Sequence, residues 1–162
     1  MRLPLQGEAR DGPRTPPNPI LLAFHSRVHN EGMEIGPLVT QRLLWVQPEN
    51  NLLDTARRMY ERNVGAAIIQ TDEGHPGIIT ERDVLRAVSE GADLLSTTVR
   101  VYMTTTPVCA TTGWDVVEAA KTMRRGGFRH LIVLDDGIPV GMLSIRDLVD
   151  ALLEDYERSL LP

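Results

Sequence analysis

The chain has 162 residues, of which 42% are hydrophobic and 24% are charged, and its formal net charge is −5. This length suits one compact domain, or two very small units that share a core, and no apolar run approaches the ~18 residues needed to span a bilayer. The net negative charge argues against a surface that binds nucleic acid or an anionic membrane, so we expect neither partner.

Residues 1–32 are predicted to form a proline-rich tail. Five of the eleven prolines lie in its first 19 residues, where missing N–H groups and fixed φ angles oppose regular structure. The tail has no apolar signal segment, and we therefore expect a cytoplasmic protein. His25 and His29 are four residues apart but have no third ligand, so no metal site is predicted.

The remainder of the chain is an internal repeat with a constant offset of 64 residues. The phrase GIITERDVLRAV begins at Gly77, and GMLSIRDLVDAL begins at Gly141. No insertion is needed over the matched span, so coincidence is a poor explanation. The same offset relates the following pairs: Ala56 and Ala120, Met59 and Met123, Ile68 and Ile132, Asp72 and Asp136, Arg82 and Arg146, Asp83 and Asp147.

Each copy predicts the order β-α-β-β-α. A short strand over 43–46, matched around 108–110, precedes a helix that Asn50 or Asn51 can cap and whose twin ends at Gly126 and Gly127. The apolar runs GAAIIQ and RHLIVL predict buried strands, and GIIT and GMLS predict strands that lead into helices. One copy alone would bury too little apolar surface. We therefore predict an α/β (α+β) fold of two copies packed sheet to sheet, with domains over 33–96 and 97–162, the second including a C-terminal helix.

Three single residues are predicted to be structural. Cys109 lacks any zinc-site pattern and cannot form an internal disulfide, so a small buried thiol in a reducing compartment is the simplest interpretation. Trp45 and Trp114 are interpreted as core or helix-flanking residues rather than as stacking platforms.

The strand-to-helix junctions read Thr80-Glu81-Arg82-Asp83 and Ser144-Ile145-Arg146-Asp147. A hydroxyl followed three residues later by an acid is a capping box, and this is a sufficient structural explanation for both. The arginines need another explanation, because a cation in the first turn of a helix faces the positive end of its dipole. They could point to solvent or pair with nearby acids, or they could face a bound anion.

The aspartates of the two phrases suggest what else such an anion would carry. A carboxylate can accept hydrogen bonds from the vicinal hydroxyls of a ribose. A hydroxyl and an arginine for phosphate, together with an aspartate for ribose, indicate a nucleotide site. No triad, paired catalytic carboxylates or Walker-type loop is present in the sequence, so we do not expect an enzyme.

The tandem β-α-β-β-α repeat with G-x-x-[ST]-x-x-D after its third strand resembles a pair of CBS domains, named for cystathionine β-synthase. The resemblance covers about 37–156, and FRHLIVLDDGIPVGMLSIRDL is a typical stretch of that family. It implies two domains around a pseudo-twofold axis with two clefts that bind adenosine ligands. In the family the motif acid holds ribose, the hydroxyl and basic residues meet phosphate, and backbone near the first two strands reads adenine.

Carried over by position, the implied ligand-binding residues are Leu44, Gly65, Ala66, Thr80, Arg82, Asp83, Thr106, Val108, Arg129, His130, Ser144, Arg146 and Asp147. The copies differ, because Arg129 and His130 stand where the first copy has Gly65 and Ala66, and Glu81 adds a negative charge to the first copy alone. We therefore expect the cleft of Asp147 to prefer the more phosphorylated ligand. Arg129 and His130 could equally be a hydrogen-bonded sheet edge.

Two functions follow from the sequence. The first is a free-standing sensor of adenosine nucleotides, with no obligatory cofactor, that shifts the state of a separate and unknown effector protein. The alternative is a ligand-independent dimeric scaffold in which the Arg and Asp residues serve as caps and ion pairs. A homodimer is expected in either case, through helices that carry Leu52, Ala56, Met59, Val116, Ala120, Met123, Ile145, Leu148, Val149, Leu152 and Tyr156.

Overall fold

The computed structural model describes residues 32–71 and 74–159. The predicted tail before Gly32 and the repeat position Asp72 lie outside these residues. The elements in chain order are a 3₁₀ turn over Gly36–Leu38, β1 Trp45–Val46, α1 Leu52–Glu61, β2 Ala66–Ile69, β3 Gly77–Thr80, α2 Glu81–Ser89, α3 Val99–Tyr102, β4 Cys109–Thr111, α4 Val116–Gly126, β5 His130–Asp135, β6 Ile138–Ser144 and α5 Ile145–Ser159.

Helix ends follow the residues predicted to set them. The Asn51 side chain accepts a hydrogen bond from the Asp54 amide at 2.8 Å and caps α1. Asp115 caps α4 in the same way, accepting from the Val117 and Glu118 amides. Helix α4 ends at Gly127, whose φ of +68° suits a glycine after the last helical residue. The predicted cap and stop are therefore confirmed.

The strands form two sheets of three, one from each repeat. In the first sheet β1 pairs parallel with β2, which pairs antiparallel with β3. The second sheet repeats this arrangement with β4, β5 and β6. The two tandem β-α-β-β-α repeats of the predicted α/β fold are thus confirmed, with α3 and the 3₁₀ turn as elements that the repeat pattern did not predict.

Each sheet has a helix-covered face and a face that meets the other sheet. Leu44, Val46, Ala67 and Ile79 lie in the core of the first repeat, and the second repeat has its own core under α4 and α5. Alternate residues of the strands point the other way. They form a third cluster, shared by both repeats: Ala66, Ile68, Ile78, Cys109, Ile132, Leu134 and Met142. This cluster is the sheet-to-sheet interface, and the prediction that Cys109 is buried is confirmed.

The segments that precede the two repeats are exchanged between them. Residues 33–40, before the first repeat, pack on the second, where Ile35 is fully buried. Residues 97–104, before the second repeat, pack on the first, where Val99 is fully buried. The backbone contacts keep the 64-residue offset: Glu34 bridges Asp115 as Thr98 bridges Asn51, and Thr40 bridges Met142 as Thr104 bridges Ile78. The repeats therefore share backbone pairing as well as an apolar interface.

Several helical residues expected on a dimer face are instead internal. Leu52 and Met59 lie in the core of the first repeat, and Val116, Met123 and Leu148 lie in that of the second, each at most 4% exposed. These five residues are the core-facing stripes of amphipathic helices. Among the residues that the structure describes, the large apolar side chains that remain exposed on helices are Tyr60, Leu85, Val88, Val101, Val117, Val149, Leu152, Leu153 and Tyr156. Among the described residues, no helix is long and apolar enough to cross a membrane.

Candidate ligand clefts between the repeats

Strands β3 and β6 end at Thr80 and Ser144, and the side chains of these two residues lie on the inter-repeat face. Thr80 pairs with Ala66 across the ladder, and Ser144 pairs with His130. Directly paired residues point to the same side of a sheet, and Ala66 belongs to the inter-repeat cluster. The two hydroxyls therefore lie at the junctions of β3 with α2 and of β6 with α5, beside the contact between the repeats.

Both predicted capping boxes are present. Oδ2 of Asp83 accepts from the Thr80 amide at 2.9 Å and from its hydroxyl at 2.7 Å. Oδ2 of Asp147 accepts from the Ser144 amide at 2.7 Å and from its hydroxyl at 2.6 Å. One oxygen of each carboxylate thus stabilises the helix start and leaves the other, Oδ1, for a different partner.

The two remaining oxygens have different surroundings. Oδ1 of Asp83 lies 3.5 Å from Nη2 of Arg86, one turn along α2. Oδ1 of Asp147 has no hydrogen bond or ion pair to any residue that the structure describes. A carboxylate oxygen without a protein donor is the better acceptor for a ligand hydroxyl. The second motif is therefore the more open of the two.

The two motif arginines also differ. Nη1 of Arg82 donates to the carbonyl oxygen of Gly127 at 2.8 Å, reaching the end of α4 in the other repeat. Arg82 is exposed, as one of the alternatives considered from sequence expected, and the bond to a backbone carbonyl is a contact that the sequence did not predict. Arg146 is exposed and has no hydrogen bond or ion pair within 32–71 and 74–159. Arg146 is thus the motif guanidinium that an anion can reach without breaking a protein contact.

A charged cluster joins the repeats between the two motifs. Nη2 of Arg129 donates to Oε1 of Glu81 at 2.8 Å, so each repeat supplies one partner of this ion pair. A Cβ on Gly65 would lie 3.0 Å from Nε2 of His130 and 3.6 Å from Oε2 of Glu81. The absence of a side chain at Gly65 is what allows the imidazole to come so close to the first repeat.

His130 is held mainly in its neutral form. Burial lowers the pKa of its imidazole below the ordinary 6.5, and the nearby Arg129 lowers it further. The carboxylates of Glu81 and Asp147 act in the opposite direction, with less effect than burial. The half-buried ring therefore lies within electrostatic range of acids from both motifs.

The residues expected near adenine have varied environments. Leu44 is 1% exposed, and its carbonyl oxygen accepts from the Ile68 amide at 2.8 Å. Thr106 and Val108 lie on the exposed approach to β4. Trp45 pairs with Ile68 and so shares the inter-repeat face, yet it is 40% exposed. The sequence interpreted Trp45 as a core or helix-flanking residue, and its exposure shows that it is not a core residue, whereas Trp114 packs against the core of the second repeat.

Cys109 takes the position of Trp45 in the second repeat. Burial in the sheet-to-sheet interface raises the pKa of its thiol to about 11, so it is not a nucleophile at neutral pH. Among the residues that the structure describes, no group of three or more His, Cys, Asp or Glu residues could hold a metal ion.

Comparison with known proteins identifies the architecture. The CBS domain family model matches twice, over residues 35–90 and 99–154. An uncharacterized 17.7 kDa protein from Acidianus ambivalens is 33% identical over 123 residues, which are 75% of this chain and 74% of that protein. An uncharacterized protein from Methanocaldococcus jannaschii is 36% identical over 110 residues, but these are only 39% of its length.

A solved structure is similar over nearly its whole chain. It is a CBS domain protein from Pyrobaculum aerophilum in complex with AMP, 29% identical, with a TM-score of 0.67. The similarity covers 75% of the present chain and 97% of that one.

Proposed function

Because this chain belongs to the CBS-domain family and carries two of its domains in tandem, we propose that it is a regulatory module that binds an adenosine-type ligand between the repeats. The AMP complex of the Pyrobaculum aerophilum relative supports this ligand class. AMP, ADP, ATP, S-adenosylmethionine and NAD-like compounds are the candidates that share the adenosine group. The role is regulatory and requires no obligatory cofactor, and we expect it to be exercised in the cytoplasm.

The observation that carries this proposal is the half-used carboxylate of Asp147. Its Oδ2 caps α5, while Oδ1 has no partner among the described residues. A pure capping role needs one oxygen, whereas a ribose diol needs an acceptor that the fold has not already used. Arg146, which directly precedes Asp147 in the sequence, is the uncommitted group for a phosphate, and the Ser144 hydroxyl would join it by turning its proton away from Asp147.

We assign the stronger cleft to the second motif. Asp83 faces Arg86, and Arg82 is bonded to Gly127, so the first motif has fewer groups to offer. Ala66 and Trp45 would line the first cleft, where Leu44 would contribute backbone alone because its side chain lies in the core of the first repeat. Thr106, Val108 and His130 would line the second. Adenine binding would rely on backbone groups and apolar surface, since these positions hold few polar side chains.

Signalling would follow from population shift. The repeats share an apolar interface and exchange the segments 33–40 and 97–104, so a ligand between them acts on both at once. A ligand that binds one relative packing more tightly than another increases the population of that packing. An effector protein that contacts the helical surface would then sense the ligand.

The test is calorimetric titration of the intact chain with adenosine, AMP, ADP, ATP, S-adenosylmethionine and NADH, together with thermal melts. At about one hundred times its dissociation constant, a ligand stabilises the native state by about 2.7 kcal/mol. Guanosine and cytidine monophosphates serve as controls. Absence of binding and of any melting shift with all adenosine compounds at millimolar concentration would refute the proposal.

A second candidate is a ligand-independent homodimeric scaffold. Both capping boxes are complete without a ligand, so the motifs have a structural role in their own right. Exposed apolar side chains such as Tyr60, Leu85 and Leu153 supply a helical surface that a second copy could cover. The two functions differ in one measurable respect, because only the first requires the Asp147 carboxylate for binding.

A further inference from the structure

Glu81 places a negative charge between the two motifs, in one repeat only. It directly follows the hydroxyl residue Thr80, and its counterpart at the 64-residue offset is the uncharged Ile145. Its amide donates to the Gly65 carbonyl at 3.0 Å, just as the Ile145 amide donates to Arg129 at 2.9 Å. The backbone contact at this position is therefore the same in both copies, and the side chain differs by a carboxylate.

The Glu81 carboxylate forms an ion pair with Arg129, one of the basic residues expected from the sequence to contact a phosphate. Oε1 of Glu81 accepts from Nη2 of Arg129 at 2.8 Å, across the contact between the repeats. Both side chains are about half exposed, at 58% and 48%, so the pair can open without unfolding the chain. An anion that approaches Arg129 must displace Glu81 and then remain beside its negative charge.

The remaining cationic groups near the motifs set how much anionic charge can be accepted. Arg82 is bonded to Gly127, and His130 is held mainly neutral. Arg146 is left without a protein partner in the part of the chain that the structure describes. Arg82 keeps its positive charge, so Arg146 is the one motif guanidinium whose N–H groups are all available, which favours one phosphate group over a chain of two or three.

We propose that Glu81 is a specificity-determining residue that restricts the site to adenosine ligands with no phosphate or one phosphate. This inference rests on the proposed function, because it concerns the ligand of the same clefts. Glu81 acts in two ways: it neutralises Arg129, and it repels the outer phosphates of a polyphosphate. This proposal differs from the sequence-based expectation that the cleft of Asp147 prefers the more phosphorylated ligand, since Arg129 is paired with Glu81 and is not a free cation.

The test is titration of the intact chain and of Glu81→Gln with adenosine, AMP, ADP and ATP in magnesium-free buffer. Glutamine keeps the size and hydrogen-bonding capacity of the side chain and removes its charge. We expect the ratio of ATP affinity to adenosine affinity to rise about tenfold in Glu81→Gln, as is reasonable for releasing one charge pair. The gain should shrink at about 1 M salt, where exposed charges are screened.

The matched control is Glu118→Gln. Glu118 is also an exposed glutamate in an ion pair, with Lys121 at 2.9 Å, but it lies on α4 away from both motifs. The ratio of ATP affinity to adenosine affinity in Glu118→Gln should stay within about twofold of the native ratio. The double variant Glu81→Gln/Arg129→Gln should not show the increase in this ratio that Glu81→Gln shows. Adenosine and AMP binding with an unchanged ratio in Glu81→Gln, or an equal gain in Glu118→Gln, would overturn this inference and leave the proposed function standing. Absence of binding by all four compounds in both chains would overturn this inference, and absence of binding by S-adenosylmethionine and NADH as well would overturn the proposed function.

Discussion

Thr40 and Met142 donate backbone hydrogen bonds to each other, both at 3.0 Å, although they belong to opposite ends of the described chain. The contact holds the segment before the first repeat against strand β6 of the second. Thr104 and Ile78 form the equivalent pair of bonds at 2.8 and 3.0 Å. Each repeat is therefore completed by a segment that the sequence order assigns to the other.

Gly141 should not tolerate a side chain, because this exchanged segment passes directly over it. A Cβ there would lie 2.9 Å from the Thr40 carbonyl oxygen and 1.9 Å from Cγ1 of Val39. We expect Gly141→Ala to lower the free energy of unfolding by about 1–3 kcal/mol, the usual cost of overpacking. Gly113→Ala is the control, since nothing lies within 4 Å of its added Cβ. Equal denaturant midpoints for the two variants would show that the segment is not held as described.

Cys109 should report on separation of the two sheets. Its side chain is 5% exposed in the inter-repeat cluster, and burial raises its thiol pKa to about 11. Both properties slow the reaction of the thiolate with disulfide reagents at about pH 8. We expect rapid labelling only in denaturant, and further protection when a ligand closes the clefts. Complete labelling within seconds in native buffer would contradict the sheet-to-sheet packing.

Acid should destabilise the protein partly through His130. Its folded-state pKa lies below 6.5, so the unfolded chain binds more protons than the native one as the pH falls through that value. Stability is therefore unaffected by this group well above pH 6.5 and decreases below it, until the folded-state pKa is reached. The melting temperature of His130→Gln minus that of the native chain should increase as the pH is lowered from about 8 to about 5.5. A difference that does not change with pH would show that the ring is not held neutral.

Glutamate substitutions on the helices should distinguish core positions from positions in a dimer interface. Met123 is 1% exposed in the second core, so Met123→Glu should unfold the chain. Leu153 is 54% exposed on α5, so Leu153→Glu should stay folded and favour the monomer if α5 meets a second copy. Sedimentation at micromolar concentration should give twice the 18.0 kDa mass for the native chain. A native species at 18.0 kDa would exclude the homodimer under these conditions.

Much of the fold could be predicted because the repeat doubles every signal. Helix capping depends on residues that are close in sequence, so it can be predicted from the sequence. The predicted features of this kind are the hydroxyl-to-acid spacing, the cap at Asn51 and the helix stop at Gly127. The exchanged segments were missed, because apolar residues such as Ile35 and Val99 do not reveal which repeat they pack against. The Glu81–Arg129 pair was missed for the same reason: both charges were noted, but their contact depends on how the repeats face each other.

The most direct test of the account is AMP titration of Asp147→Ala beside Asp115→Ala. Both aspartates cap helices, so each variant should lose about 1 kcal/mol of folding stability. Only Asp147 lies at the candidate cleft, paired with Ser144 at the end of β6, so only its variant should lose about 1.5–3 kcal/mol of AMP-binding free energy, with a smaller loss for Asp83→Ala. AMP affinity that stays at the native value in Asp147→Ala, as in Asp115→Ala, would show that the motif is a helix cap and that the ligand, if any, binds elsewhere.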